Sequence, residues 1–196
     1  MFYRPLVMLL MTSALVCTCD NNNPADSHAA PAITWQPQSQ IVFLGSPAVF
    51  SVSVSGDPAP TCQWQKAGVP LSGETDSLFT IPAAAFADSG VYSVVVSNLK
   101  GTVTSDPAAL VVYTLTVQPA ADTVSTDSSF AFTAAVAGIP DTACQWRLDG
   151  FNVSGATGLT YGKISATLDD AGTYRLIVSS PLGDVFSDPV TLVVNP

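Results

Sequence analysis

The 196-residue chain carries six Lys and Arg against fifteen Asp and Glu, a formal net charge of -9, with 11% charged and 47% hydrophobic residues. This acidity argues against a nucleic-acid surface and against a basic membrane-binding patch, so a membrane link would have to be covalent. The length suits two small domains better than one large core, and Ser and Thr interleaved with apolar residues are how half-exposed strands of an all-β protein are written.

Met1 to Arg4 is a short basic start, and Leu6 to Val16 is an apolar run too short to span a bilayer, so residues 1–18 are predicted to be an export signal. Residues 19–32 are polar, rich in Ala and Pro and without apolar periodicity, which predicts a disordered tether. An apolar run, then Cys17 and Cys19, then a polar tether resembles the leader of a bacterial lipoprotein. The resemblance implies lipidation at Cys19 and a protein held at a membrane of the cell envelope. Val16 and Thr18 depart from the Leu and the Gly or Ala usual at minus three and minus one. The alternative is an ordinary cleaved signal, which leaves the protein periplasmic or secreted.

Beyond the tether the chain matches itself at an offset of 82 residues: Phe50 with Phe132, Gly56 with Gly138, Trp64 with Trp146, Gly90 with Gly172, Tyr92 with Tyr174 and Pro107 with Pro189. Two domains are predicted, 33–113 and 114–196. Ala48, Phe50, Val52 and Val54 alternate with Ser51, Ser53 and Ser55, the period of a strand with one face inward. Val91 to Ser97 and Leu110 to Val112 supply further strands, punctuated by turns at Gly56-Asp57-Pro58, Gly68, Gly73 and Asn98 to Gly101. Leu110 to Val117 crosses the predicted domain boundary without Gly or Pro, which predicts a stiff joint.

The residues Gly56-x-Pro58-x-Pro60-x-x-Gln63-Trp64, Phe79-x-Ile81 and Asp88-Ser89-Gly90-Val91-Tyr92 resemble an intermediate-type immunoglobulin domain. Trp146 and Asp170-Ala171-Gly172-Thr173-Tyr174 repeat the pattern. The resemblance implies two tandem immunoglobulin-like antiparallel β-sandwiches, each with its Trp in the core, its Tyr at a corner and its Asp tying the adjoining turn. It fails at the disulfide, where Val52 and Val94 in one copy and Ala134 and Leu176 in the other replace the cysteines. Cys62 and Cys144 sit two residues before each Trp, on the same side of the strand, which predicts two buried thiols. Lys163 takes the place of Ile81, so either the strand bulges to turn Ile164 inward or the lysine snorkels at the edge.

The only histidine, His28, lies in the tether, so no Ser-His-Asp or Cys-His arrangement can be assembled on the folded part. Adjacent Asp169 and Asp170 point apart on a turn, no acidic run marks a calcium cage where Asp88 and Asp141 would meet, and no cofactor or metal is expected. The reading is a non-catalytic binding or adhesion module of the envelope, with an unidentified protein or carbohydrate partner. A structural spacer and a carbohydrate-binding accessory of an enzyme system are the alternatives. Trp35, Phe151 and Tyr161 are the candidates for an exposed aromatic platform.

Overall fold

The computed structural model describes residues 28–118, 120–139 and 143–196. The predicted signal, Cys17, Cys19, most of the tether and Asp141 lie outside the described residues. The regular structure of the described residues is all strand apart from two single-turn 3-10 segments, Phe86–Asp88 and Leu168–Asp170.

The first copy contributes β1 (Ala32–Trp35), β2 (Gln40–Phe43), β3 (Ala48–Ser51), β4 (Ser53–Ser55), β5 (Thr61–Lys66), β6 (Val69–Pro70), β7 (Leu78–Ile81), β8 (Gly90–Asn98), β9 (Gly101–Thr104) and the start of β10 (Ala108–Gln118). One layer pairs β1 with β4 and β3 with β7, and the facing layer runs β2, β10, β8, β5, β6 with β9 beside β8. The second copy adds β11 (Ala121–Ser125), β12 (Phe130–Ala137), β13 (Ala143–Leu148), β14 (Phe151–Asn152), β15 (Thr160–Lys163), β16 (Gly172–Ser180), β17 (Gly183–Phe186) and β18 (Val190–Asn195). Its layers are β10, β12, β15 and β11, β18, β16, β13, β14, with β17 beside β16. Pairing is antiparallel except for β2 on β10 and β11 on β18.

Between the layers lie two separate clusters of buried side chains. In the first, Phe50 packs against Trp64, Phe79 and Tyr92 with ring centroids 5.0–6.3 Å apart. Such tilted and stacked pairs contribute about 0.5–1.5 kcal/mol each beyond their area. Phe132, Trp146 and Tyr174 repeat the arrangement in the second. Val52, Val94, Ala134 and Leu176 are buried where the resemblance would place cysteines, so apolar packing fills that space. Folded packing begins before Ile33, because the Ala29 carbonyl accepts from the Asp57 amide and from Asn98 Nδ2.

β10 serves both copies. Its first half pairs with β8 and β2, and its second half, Thr114 to Gln118, pairs with β12. Ala108, Leu110 and Val112 enter the first cluster and Leu115 and Val117 the second, so the inward positions change parity between Tyr113 and Thr114. Gly138 fits closely here: at φ +83° a Cβ would stand 2.1 Å from the Val112 carbonyl oxygen and 2.9 Å from Phe86 Cε1.

Candidate functional site

The repeated signature residues are placed as structural parts. Trp64 on β5 and Trp146 on β13 are fully buried, and each indole Nε1 donates at 2.9 Å, to the carbonyls of Asp76 and Gly158. The Tyr92 hydroxyl donates to the Asp88 carbonyl at 2.7 Å and Tyr174 to that of Asp170 at 2.8 Å. Burial, reinforced by the charge of Asp88, pushes the Tyr92 phenol up to about 12, and burial pushes Tyr174 up as well. The Asp88 carboxylate accepts from the Ala85 amide at 2.8 Å. Gly90 and Gly172 hold φ near +150°, and a Cβ on Gly172 would press on Leu148 and Asp149 at 2.6 Å.

Lys163 resolves as an ion pair rather than a bulge. Its ammonium bonds Asp170 Oδ1, while Ile164 stays 92% exposed. Asp170 is 4% exposed, and its other oxygen accepts from the Thr167 amide and hydroxyl, each at 2.9 Å. Burial alone would raise its carboxyl, but the Lys163 ammonium and the two Thr167 donors hold it below the ordinary value.

Cys62 is buried but Cys144 only half-buried, a correction to the expectation of two buried thiols. Cys144 is the second residue of β13 and packs at the margin of its cluster. Burial pushes both thiols up, aided at Cys62 by Asp76.

Two repeated devices escaped the sequence reading although the 82-residue offset carries both. Gln63 and Gln145 each reach with Nε2 to the carbonyl of the following Trp and across to Leu71 or Val153. Ser105 and Ser187 interrupt the last strand of each copy; the Ser Oγ accepts from the amide of Val94 or Leu176 at 3.0 Å. The Ser-Asp-Pro segments fall between β9 and β10 and between β17 and β18.

The three candidate aromatics form no single platform. Trp35 is 59% exposed on β1, Phe151 is 81% exposed on β14, and Tyr161 leans into the second core, 5.6 Å from Tyr174. Phe151 and Tyr161 do line one open cleft with Leu148, Lys163 and Asp169.

A second cleft, of about 350 Å³, opens on the outer face of β13, β16 and β17. Arg147 and Arg175 stand directly opposite each other in the ladder, and Ile177 stands opposite Phe186. Like charges so placed destabilise a sheet. Arg147 Nε donates to Asn152 Oδ1 at 2.7 Å. Arg175 has no hydrogen bond among the described residues, and neither guanidinium makes an ion pair there. Asp149 shares the rim, one oxygen accepting from the Thr173 amide at 2.8 Å. At the same ladder positions the first copy holds Gln65 opposite Ser93 and Val95 opposite Thr104. The cleft residues were missed in the sequence because only strand register brings residues 147 and 175 together.

Residues 30–98 match the family model described as Immunoglobulin domain, so the chain carries an immunoglobulin-like domain. The chain is similar to Endoglucanase C of Cellulomonas fimi, 32% identical over 180 residues, covering 85% of this chain and 16% of that protein. It is also similar to Peroxidasin of Drosophila melanogaster, 26% identical over 193 residues, covering 84% of this chain and 12% of that one. The chain thus spans about a sixth or less of the length of these relatives. Among solved structures, an I-band fragment of titin matches 85% of this chain and 66% of that one at 19% identity and a TM-score of 0.47. A structure concerned with Dscam isoform specificity matches 87% and 47% at 21% identity and a TM-score of 0.45.

Proposed function

We propose that the protein is a non-catalytic binding module of the cell envelope, made of two sandwich units that meet between Tyr113 and Thr114. One observation carries this reading: the two copies keep the same Phe, Trp and Tyr in their cores yet diverge on the outer face around the cleft. There Arg147, Arg175, Ile177 and Phe186 replace Gln65, Ser93, Val95 and Thr104. Packing does not require two opposed arginines, whereas recognition by a sandwich face does use such exposed, unneutralised groups. The reading includes export by the leader, with a lipid on Cys19 supplying the attachment that an acidic folded part lacks.

A spacer role has its own support in β10, which passes from one cluster to the other without interruption. The similarity to Endoglucanase C favours a third variant, in which the module serves a carbohydrate-acting system.

The test compares wild type with the double variant Arg147→Gln, Arg175→Ser for retention on envelope preparations and cell-wall polysaccharide. Retention by wild type at least tenfold above the variant is expected, and equal retention by both overturns the binding reading. For the anchor, Cys19→Ser should move the protein from the detergent phase to the aqueous phase, with Cys17→Ser without effect. An already aqueous wild type overturns that part.

A further inference from the structure

We propose that the cleft on the outer face of β13, β16 and β17 binds a singly charged carboxylate carried on a sugar ring, with Arg147 and Arg175 as its anion clamp. This rests on the reading of the protein as a binding module and names the chemistry of the site.

The two guanidinium groups are cross-strand neighbours, which places their side chains about 5 Å apart at Cβ. Each guanidinium is a planar fork of donors suited to a carboxylate, and two side by side can share one anion between them. Asn152 holds Arg147 through Nε, which leaves its terminal nitrogens to the cleft, and Arg175 has its whole donor set unused among the described residues. An anion seated there would relieve the repulsion that the fold itself leaves standing.

The remaining walls select what carries the charge. Ile177 and Phe186 form an apolar floor, with Phe186 51% exposed, and so offer a flat contact to one side of a ring. Asp149 keeps acceptor capacity beyond its bond from Thr173, and the Thr173 side chain stands at the same rim, so hydroxyl groups find partners. Arg147, Arg175 and Asp149 sum to one net positive charge (+2 − 1), which balances a monoanion. A dianion such as phosphate would meet Asp149 with its second charge. A polyanion would also meet the chain's net charge of -9. The volume of about 350 Å³ falls at the lower end of small-molecule sites, enough for one or two sugar units.

The experiment is an NMR titration of the ¹⁵N-labelled mature chain at constant ionic strength, following the backbone amides and the arginine Nε resonances. Three probes are compared in mildly alkaline buffer, where inorganic phosphate is chiefly the dianion: sodium glucuronate, glucose and inorganic phosphate. Glucuronate should give saturable shifts at Arg147, Thr173, Arg175 and Ile177 while Gln65, Ser93 and Val95 stay unmoved. Glucose and phosphate should each bind at least tenfold more weakly. Arg175→Ser and Arg147→Gln, which install the first copy's residues, should each weaken glucuronate binding tenfold or more with the Trp146 indole resonance unchanged. Equal response to phosphate or to glucose, or an undiminished response in both variants, overturns the proposal. No response to glucuronate also overturns it. If envelope retention still separates wild type from the double variant, that failure leaves the binding reading standing; if retention does not, both readings fall.

Discussion

Replacing Lys163 by Met removes one hydrogen bond to a buried carboxylate and nothing from the core, because Lys163 projects from the edge of β15. Asp170 stays buried and keeps its two Thr167 bonds, so the loss is one charge-assisted bond rather than the whole polar cluster. Charged-group hydrogen bonds contribute about 1.5–3 kcal/mol, and the 44% exposure of the lysine side chain screens the pair. The expected cost is therefore about 1–2 kcal/mol, which lowers the melting temperature of the second copy by roughly 4–16 °C. The pH dependence separates this cause from a packing defect. Asp170 titrates below its ordinary value of 3.8 in the folded chain, so its stabilisation is present above that value and is lost as pH falls through the folded-state value. Lys163, raised chiefly by its bond to Asp170, contributes below its ordinary 10.5 and loses that contribution as pH rises through the raised value. Urea unfolding of wild type and Lys163→Met, followed by the Trp146 indole NMR resonance from pH 2 to 7, should show a gap that is constant near neutrality and closes in acid. A gap that persists unchanged at pH 2 refutes the ion-pair account.

Trp64→Ala should cost about 3–5 kcal/mol in the cluster it occupies and leave the unfolding midpoint reported by the Trp146 indole resonance nearly unchanged, since the two clusters share no buried residue; an equal loss of stability at Trp146 refutes that independence. Gly138→Ala should cost more than Gly45→Ala in denaturant unfolding. Both hold φ +83°, which costs about 1–2 kcal/mol on its own, but only Gly138 faces a carbonyl oxygen at 2.1 Å; equal costs count against the close fit at the joint. A maleimide at neutral pH should label Cys144 before Cys62, with both slower than an unfolded control, by peptide mass spectrometry; the reverse order contradicts the burial difference.

The core was legible because its contacts repeat. Trp64 with Trp146 and Tyr92 with Tyr174 keep one spacing in both copies, and alternation along residues 48–54 shows which side faces in. Lys163 was not decidable from the chain, since a bulge and an outward lysine write the same letters. The deciding partner, Asp170, reaches it only through the folded turn. The paired serines and glutamines were visible as repeats, but their hydrogen bonds depend on backbone groups that no side-chain pattern records. The arginine pair shows a different kind of signal. It lies where the repeat breaks, at alternate outward positions of adjacent strands, and a search for mismatches between the copies would have found it.

The change of parity in β10 makes the joint a matter of counting. Val112 and Leu115 serve different cores from opposite sides of one ribbon, so the two-residue step at Tyr113 and Thr114 sets which way the second copy faces. A substitution at either position leaves that count intact. One residue added or removed there would instead turn Leu115 and Val117 outward or swing the whole following sandwich to the other side of the strand. Sequences derived from this one should accordingly hold the length of the joint fixed and keep an apolar or aromatic residue at Tyr113, which packs against Phe43 and the second cluster. A change in length there would be expected only together with a second, compensating change before β12.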